Sequence, residues 1–395
     1  MIAVEDAVRR IVAAFAPVDA ETVDIGAAAG RVLAQDAVAR MTQPPDPVSS
    51  MDGYAVRAAE ATEGAMLKVV GTSPAGHPYG GALGAGEAVR IFTGGVVPQG
   101  ADSIVVQEDT SAADGRVTVN AAAIPSRHIR VAGLDFKTGD AIVKAGRRLT
   151  ARDVSLIAAG DIPVVQVQRR PRVAIAATGD ELSPPGAPKK PGGIVASSGY
   201  ALSAMIARWG GETIDLGIVP DTADAVGAIA DRAGDADLIV TIGGVSVGDH
   251  DLVQKALGPR GFELDFWKIA MRPGKPLIFG RLGRTPLLGL PGNPVSTLVC
   301  AILFLKPAIA AMLGADSADE IVTARLARDL KENDGRQDYV RATFTTKDGE
   351  RFVEPFTVQD SSMLSVLARA DALIVRPPHA PAAKAGDAVS VLLLE

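Results

Sequence analysis

The stretch Leu238-Ile239-Val240-Thr241-Ile242-Gly243-Gly244-Val245-Ser246-Val247-Gly248-Asp249-His250-Asp251 decides the fold. Its first five residues are apolar or β-branched, a run too short for a helix and suited to a strand buried on both faces. Two glycines then turn the chain, and Asp249 to Leu257 reads as the next helix. The same order recurs on either side. Val173 to Ala177 runs into Thr178-Gly179-Asp180-Glu181-Leu182, and Pro286 to Leu290 runs into Pro291-Gly292-Asn293-Pro294-Val295-Ser296. Helices are expected over Tyr200 to Trp209, Thr222 to Ala233 and Pro294 to Met312, the last kinked near Pro307, with a further strand over Thr213 to Ile218. Strands alternating with helices predict a parallel sheet covered on both faces, which binds ligands at the carboxyl ends of its strands.

Outward from this core the rhythm changes. Val4, Val8, Ile11, Val12 and Phe15 predict an opening amphipathic helix, and Gln43-Pro44-Pro45-Asp46-Pro47 breaks any regular element. From Met66 to Leu149, short Val- and Ile-rich runs alternate with glycine turns. They cover Leu67 to Val70, Ala88 to Phe92, Ser103 to Gln107, Arg116 to Val119, Ile129 to Val131 and Ala141 to Val143, and predict a small β domain. Ala151 to Ala159 reads as a short helix. After Gly314, strand-like runs return at Tyr339 to Thr345, Ala372 to Val375 and Ala388 to Leu394. The fold class expected is multi-domain α/β plus β.

The chain has 395 residues, too many for one ordinary core. Aromatics make up only 4 %, so the interior must be built from Ala, Val, Leu and Ile. A net charge of −6 argues against nucleic acid as the main partner. Cys300 is the only cysteine, which excludes an intrachain disulfide, and it lies in an apolar helical run that reads as core. The four histidines are scattered, so no zinc site is expected. Glu5, Asp6, Arg9 and Arg10 interrupt the N-terminus, unlike a signal peptide, and no apolar stretch reads as long enough to span a bilayer. A soluble cytoplasmic protein without membrane or nucleic-acid partners is expected.

Three features bear on chemistry. Glycine turns let backbone N–H groups approach a ligand, and each helix N-terminus adds about 0.3–1 kcal/mol toward an anion. One such turn is as readily only a tight turn, and Pro291 and Pro294 can simply stop a strand and start a helix. Three in one sheet favour a phosphate site, although neither a Walker A sequence nor a Gly-x-Gly-x-x-Gly fingerprint is present. Glu181, Asp249 and Asp251 lie in these loops, where carboxylates beside phosphates suit Mg²⁺. Asp249 reads better as a helix cap, and for Asp251 both readings stand. Lys268, Arg272 and Lys275 fall between Phe266 and Pro276, either as a solvated loop or as cations held at a sheet edge for an anion.

Ser50-Met51-Asp52-Gly53-Tyr54-Ala55, Arg90-Ile91-Phe92-Thr93-Gly94-Gly95, the three glycine turns and Met271-Arg272-Pro273-Gly274-Lys275-Pro276 together resemble the molybdopterin molybdenumtransferases and the gephyrin E domain, in the same order. The resemblance implies insertion of molybdate into adenylylated molybdopterin, with Mg²⁺ and release of AMP, by an elongated four-domain homodimer. A molybdopterin-binding scaffold or an adenylyltransferase-like protein is the alternative. The expected domains are 1–45 with 138–170 as a discontinuous linker and dimerisation domain, 46–137 as a small β domain, 171–313 as the molybdopterin-binding α/β domain, and 314–395 as a C-terminal β domain.

Carried over by motif, the resemblance implies catalytic roles for Asp52, Thr93, Asp135, Glu181, Asp221, Asp251, Lys268, Arg272 and Lys275, with Glu181, Asp221 and Asp251 as metal ligands. It implies binding roles for Thr178, Gly179, Asp180, Ser198, Gly243, Gly244, Ser246, Gly248, Pro291, Gly292, Asn293, Pro294, Ser296 and Ser361. Asp52, Thr93 and Asp135 would act across a dimer cleft, and the molybdopterin adenylyltransferase and apo-molybdoenzymes are the implied partners. Ser198 stands where the family usually has Asn, and Asp360 where it has Gly.

Overall fold

The computed structural model describes residues 1–244, 256–315, 321–347 and 349–394. Leu238–Ile242 is a strand with every residue buried, as its uninterrupted apolar run requires. It lies inside a six-stranded sheet ordered Glu212–Val219, Arg172–Thr178, Leu238–Ile242, Thr285–Leu290, Ile278–Leu282 and Phe262–Trp267. The first four strands are parallel to one another, and the last two pairings are antiparallel. The sheet is therefore mixed, where a parallel one was expected. Gly283 and Arg284 alone join Leu282 to Thr285, which permits a hairpin but no crossover.

Alternation along the strands sends Val173 and Ile175 to one face and Ala174 and Ala176 to the other. Against the first face pack the helices Val4–Val12 and Ser198–Arg208 and the long helix ending at Met312, through Ile11, Ile206 and Phe304. Against the second pack Ala223–Gly227 and Ile229–Arg232, two short helices where one was expected. Gly227, a poor helix former, sits at their junction.

The long helix is irregular one turn before Pro307 rather than kinked at it. Ala301–Leu305 is a π turn between Pro294–Cys300 and Lys306–Met312. Proline has no N–H and its ring crowds the carbonyl four residues back; a wider turn relieves both. The expectation that no apolar stretch could span a bilayer needs correction. Pro294–Met312 has 19 residues and a mean hydropathy of 2.0, long and apolar enough by composition. It is nonetheless a core helix, with 78 % of its most apolar window buried in protein.

In the N-terminal half, Ala20–Asp24 pairs with Val164–Gln168 and Ala37–Val38 with Ala141–Val143, around a core of Leu33, Leu149, Ile157 and Val167. Thr150 and Asp153 close a reciprocal capping box on the helix Ala151–Ala159. The intervening chain forms a six-stranded sheet. One of its inner strands, Gly53–Val56, begins at the glycine of the Asp-Gly-Tyr motif and is wholly buried, although no strand was expected there. At the C-terminus, five strands close on themselves because Gln337–Lys347 pairs with both Glu350–Pro355 and Ala372–Arg376. A sixth, Met271–Arg272, joins that barrel from the α/β domain.

Phe304 is fully buried between the long helix and the sheet. Phe304→Ala should destabilise the protein by about 3–5 kcal/mol in denaturant unfolding. A loss under about 1 kcal/mol would mean that this face is not the close-packed core described.

Candidate active site

A cleft of about 1060 Å³ opens at the carboxyl ends of the parallel strands and is completed by the C-terminal barrel. Glycine makes its floor possible. A Cβ on Gly243, at φ +90°, would lie 2.7 Å from the Thr178 carbonyl oxygen, and one on Gly179 would lie 2.7 Å from both Glu181 carboxylate oxygens. Side chains at either position would push the neighbouring strand ends apart or displace the acid. Buried Thr178 donates its hydroxyl to the Ile242 carbonyl at 3.3 Å, tying the two strand ends together.

The turn Pro291 to Ser296 brings a third strand end to the cleft. Asn293 sits at the N-cap position, yet its side chain makes no capping bond. Its Nδ2 instead donates to Ser361 Oγ across the cleft at 2.9 Å, and Val295 N–H donates to the Ser361 carbonyl at 3.2 Å. The loop carrying Ser361 is fixed from behind by Arg341, which is 1 % exposed. Arg341 Nε donates to Gln359 Oε1 at 3.0 Å and Nη1 to the Asp360 carbonyl at 2.7 Å. Ser362 donates its hydroxyl and N–H to Asp360, which holds that carboxyl below its usual range.

The basic segment forms another wall. Gly274, at φ +108°, rests on the Cys300 sulfur so closely that a Cβ there would collide with it. Burial pushes the Cys300 thiol far above the ordinary thiol range, so it is no nucleophile. Arg272 faces the cleft but pairs with Asp338, and Arg336 pairs with Asp334 at 3.0 Å. Lys275 also lines the cleft.

Of the expected site residues, the cleft brings together Thr178, Glu181, Ser198, Asp221, Gly243, Gly244, Arg272, Lys275, Pro291, Gly292, Asn293, Pro294, Ser296 and Ser361. Gly179 and Asp180 lie just behind it, where Asp180 accepts the Asp221 N–H at 3.4 Å. Lys268 turns away, with its ammonium 3.5 Å from the Trp267 ring centroid. Ser246, Gly248, Asp249 and Asp251 lie outside the described residues. Among the described residues no three His, Cys, Asp or Glu side chains converge as a metal site.

Asp52, Thr93 and Asp135 do not line this chain's cleft. Asp52 accepts Thr93 N–H at 2.7 Å and Thr93 Oγ1 at 2.9 Å, and these bonds hold its carboxyl below the usual range. Beside them Arg90 lies between the Tyr54 and Phe92 rings. Sequence reasoning missed Arg336, which lines the cleft from the barrel. Its only local signal is the Asn333-Asp334-Gly335 turn just before a strand.

Three family models match in order: MoeA N-terminal region (domain I and II) at residues 2–160, probable molybdopterin binding domain at 174–311, and MoeA C-terminal region (domain IV) at 323–394. A molybdopterin molybdenumtransferase of Nostoc sp. is 37 % identical over 95 % of this chain and 89 % of its own length. One from Haemophilus influenzae is 34 % identical over 95 % of this chain and 94 % of its own. The crystal structure of a molybdopterin biosynthesis moeA protein from Pyrococcus horikosii superposes with a TM-score of 0.86 at 30 % identity, covering 100 % of this chain and 99 % of that one.

Arg336, helped by Arg272, holds the Asp334 carboxyl down at about 2, against an ordinary value of 3.8. A depressed carboxyl stabilises the fold above its unfolded value and loses that contribution as pH falls through its folded value. The stability difference between the native protein and Asp334→Asn should therefore be constant above about pH 4 and vanish toward pH 2. Unfolding midpoints taken across this range check it; a difference that grows on acidification contradicts the pairing.

Proposed function

The chain belongs to the molybdopterin molybdenumtransferase family, and from that premise we propose that its cleft holds adenylylated molybdopterin and molybdate and joins the metal to the dithiolene. The observation that carries this reading is the convergence, in one cleft, of three glycine-bearing strand ends, the Lys275 ammonium and the Glu181 and Asp221 carboxylates. Backbone N–H groups freed by the glycines approach the phosphates. Lys275 and the Ser296 hydroxyl hold the molybdate dianion. Ser361, fixed by Asn293, bounds the other side of the cleft. Molybdate oxygens leave as water or hydroxide while the two sulfurs take their places, and AMP departs when water cleaves the adenylate. The protein contributes position and charge, and the substrates carry the sulfur chemistry.

The donor set suits Mg²⁺, which takes one or two carboxylates and completes its shell with water and phosphate oxygens. Glu181 and Asp221 are the described residues that would hold it, and the ion would polarise the adenylate phosphates. Asp251 is a further ligand in this reading. The chain works in the cytoplasm, where its single buried cysteine needs no oxidising environment.

The proposed unit is a homodimer. Asp52 and Thr93 stand apart from this chain's cleft, and their chain neighbours Met51 and Phe92 are 41 % and 36 % exposed. A second copy laid against them would complete the site from the other side, consistent with the isologous pairing usual for dimers.

The direct test supplies adenylyl-molybdopterin, molybdate and Mg²⁺, and follows AMP release together with activation of an apo-molybdoenzyme. Both should appear and both should require molybdate; AMP release without activation, or neither, refutes the proposal. Lys275→Ala should raise KM for molybdate by about tenfold or more, as loss of a charged ligand does.

Shared sites make a second prediction. Asp52→Ala and Glu181→Ala proteins, each inactive alone, should recover about a quarter of native activity after subunit exchange, since half the dimers then carry one intact site of two. No recovery despite demonstrated exchange would place both residues in one subunit's chemistry.

A further inference from the structure

The basic segment of the cleft is held from both sides by other parts of the chain. Ile2 donates its N–H to the Lys268 carbonyl at 3.2 Å and accepts the Ala270 N–H at 2.9 Å. On the opposite side Met271 and Arg272 bridge in parallel to Gln337 and Asp338 of the C-terminal barrel, and Gln337 N–H donates to the Ala270 carbonyl at 2.9 Å. Lys275 therefore sits in the loop just after a strand, Met271–Arg272, that the N-terminus and the barrel hold from its two sides.

Within this ladder one edge of the Arg272 guanidinium is committed to the barrel. Nε donates to Asp338 Oδ1 at 2.8 Å, and Nη2 donates to Asp338 Oδ2 and, at 3.3 Å, to Asn333 Oδ1. Nη1 lies 3.5 Å from Asp334. The Asp338 carboxylate is only 15 % exposed. Asn333 is pinned in turn, with its Nδ2 donating to the carbonyls of Arg336, Arg376 and Pro377 at 2.7, 3.0 and 2.8 Å. To bind an anion through its Nε–Nη2 edge, Arg272 must abandon a bidentate pair with a largely buried carboxylate, and its remaining Nη1 already faces the Asp334 carboxylate. Lys275 faces the same cleft and makes no ion pair with a described residue.

We propose that Arg272 is a positioning residue rather than an anion ligand: its fork on Asp338 latches the α/β domain to the C-terminal barrel and fixes where Lys275 and Ser361 stand across the cleft. The inference rests on reading the cleft as the molybdate site.

The test uses the full chain as Asp338→Asn, Asp338→Glu, Arg272→Gln and the double variant Asp338→Asn/Arg272→Gln. Molybdate KM and kcat are measured with adenylyl-molybdopterin, and hydrogen exchange is followed at the Gln337 amide. A latch predicts that Asp338→Asn and Arg272→Gln each raise KM about tenfold with little change in kcat, that the double variant is no worse than the worse single, and that Asp338→Glu recovers most of the loss. Gln337 should exchange faster in each weakened variant. If Arg272 binds the anion directly, Asp338→Asn frees it and tightens molybdate binding while Arg272→Gln abolishes it, and the latch is overturned.

The native protein provides a check that no misfolded variant can blur. Added molybdate should leave Gln337 as protected as before or more so; loss of protection on binding overturns the proposal. Should the native protein fail to bind molybdate, the functional reading falls, and exchange at Gln337 in Asp338→Asn still decides the latch, faster exchange upholding it and unchanged exchange overturning it.

Discussion

The cleft depends on how closely two strand ends approach one another. The Thr178 carbonyl passes so near Gly243 that one added carbon would sit 2.7 Å from it. That proximity has no slack, because close-packed interiors transmit displacement rather than absorb it. Thr178 is also bonded to Ile242, which ties the first strand end to the second. The third loop lies beside them, for a Cβ added to Gly292 would touch the Gly243 backbone at 3.5 Å. Small residues at three adjacent strand ends thus build a floor of backbone, and the charged groups stand around its edge.

Two polar ties flank that floor. Asn293 bonds Ser361 on one wall, and Arg272 pairs with Asp338 on the other. Each tie links the α/β domain to the barrel, and beneath them the two units share apolar packing, with Tyr339, Leu373 and Leu392 of the barrel joining the core of the α/β domain. Arg341 shows how such a wall is stiffened: a buried cation with its hydrogen bonds satisfied holds a loop from behind while itself staying out of the cleft. The opening helix contributes as well, for Arg10 pairs with Asp265 and lies over Phe266, just ahead of the basic segment.

Much of this was legible in the chain. Short apolar runs ending in glycine marked the parallel strands, and their loops did converge. The apolar setting of Cys300 identified it as core, and the structure buries it completely. Other features were hidden for physical reasons. The strand Gly53–Val56 is four residues long and is defined by its two neighbours, not by any periodicity of its own. The antiparallel edge of the main sheet follows from a two-residue turn, which apolar patterning does not reveal. Composition located three cations in the basic segment but said nothing of direction. One faces the cleft unpaired with any described residue, one is held by a carboxylate more than sixty positions away, and one rests on its neighbouring indole. Arg336 was missed because its relevance comes from a contact between domains.

The burial of Cys300 has a consequence for coordination chemistry. Thiolates are soft donors that compete readily for metals, and in the reaction proposed above the substrate presents its own pair of sulfurs to the incoming metal. A protein thiolate at the cleft would be a rival ligand able to trap the metal halfway. Here the only cysteine is sealed beneath Gly274, and burial favours its protonated form. Towards the metal, the charged groups of the cleft offer hard oxygen and nitrogen donors, so the softest anionic ligand within reach is the one that arrives with the substrate.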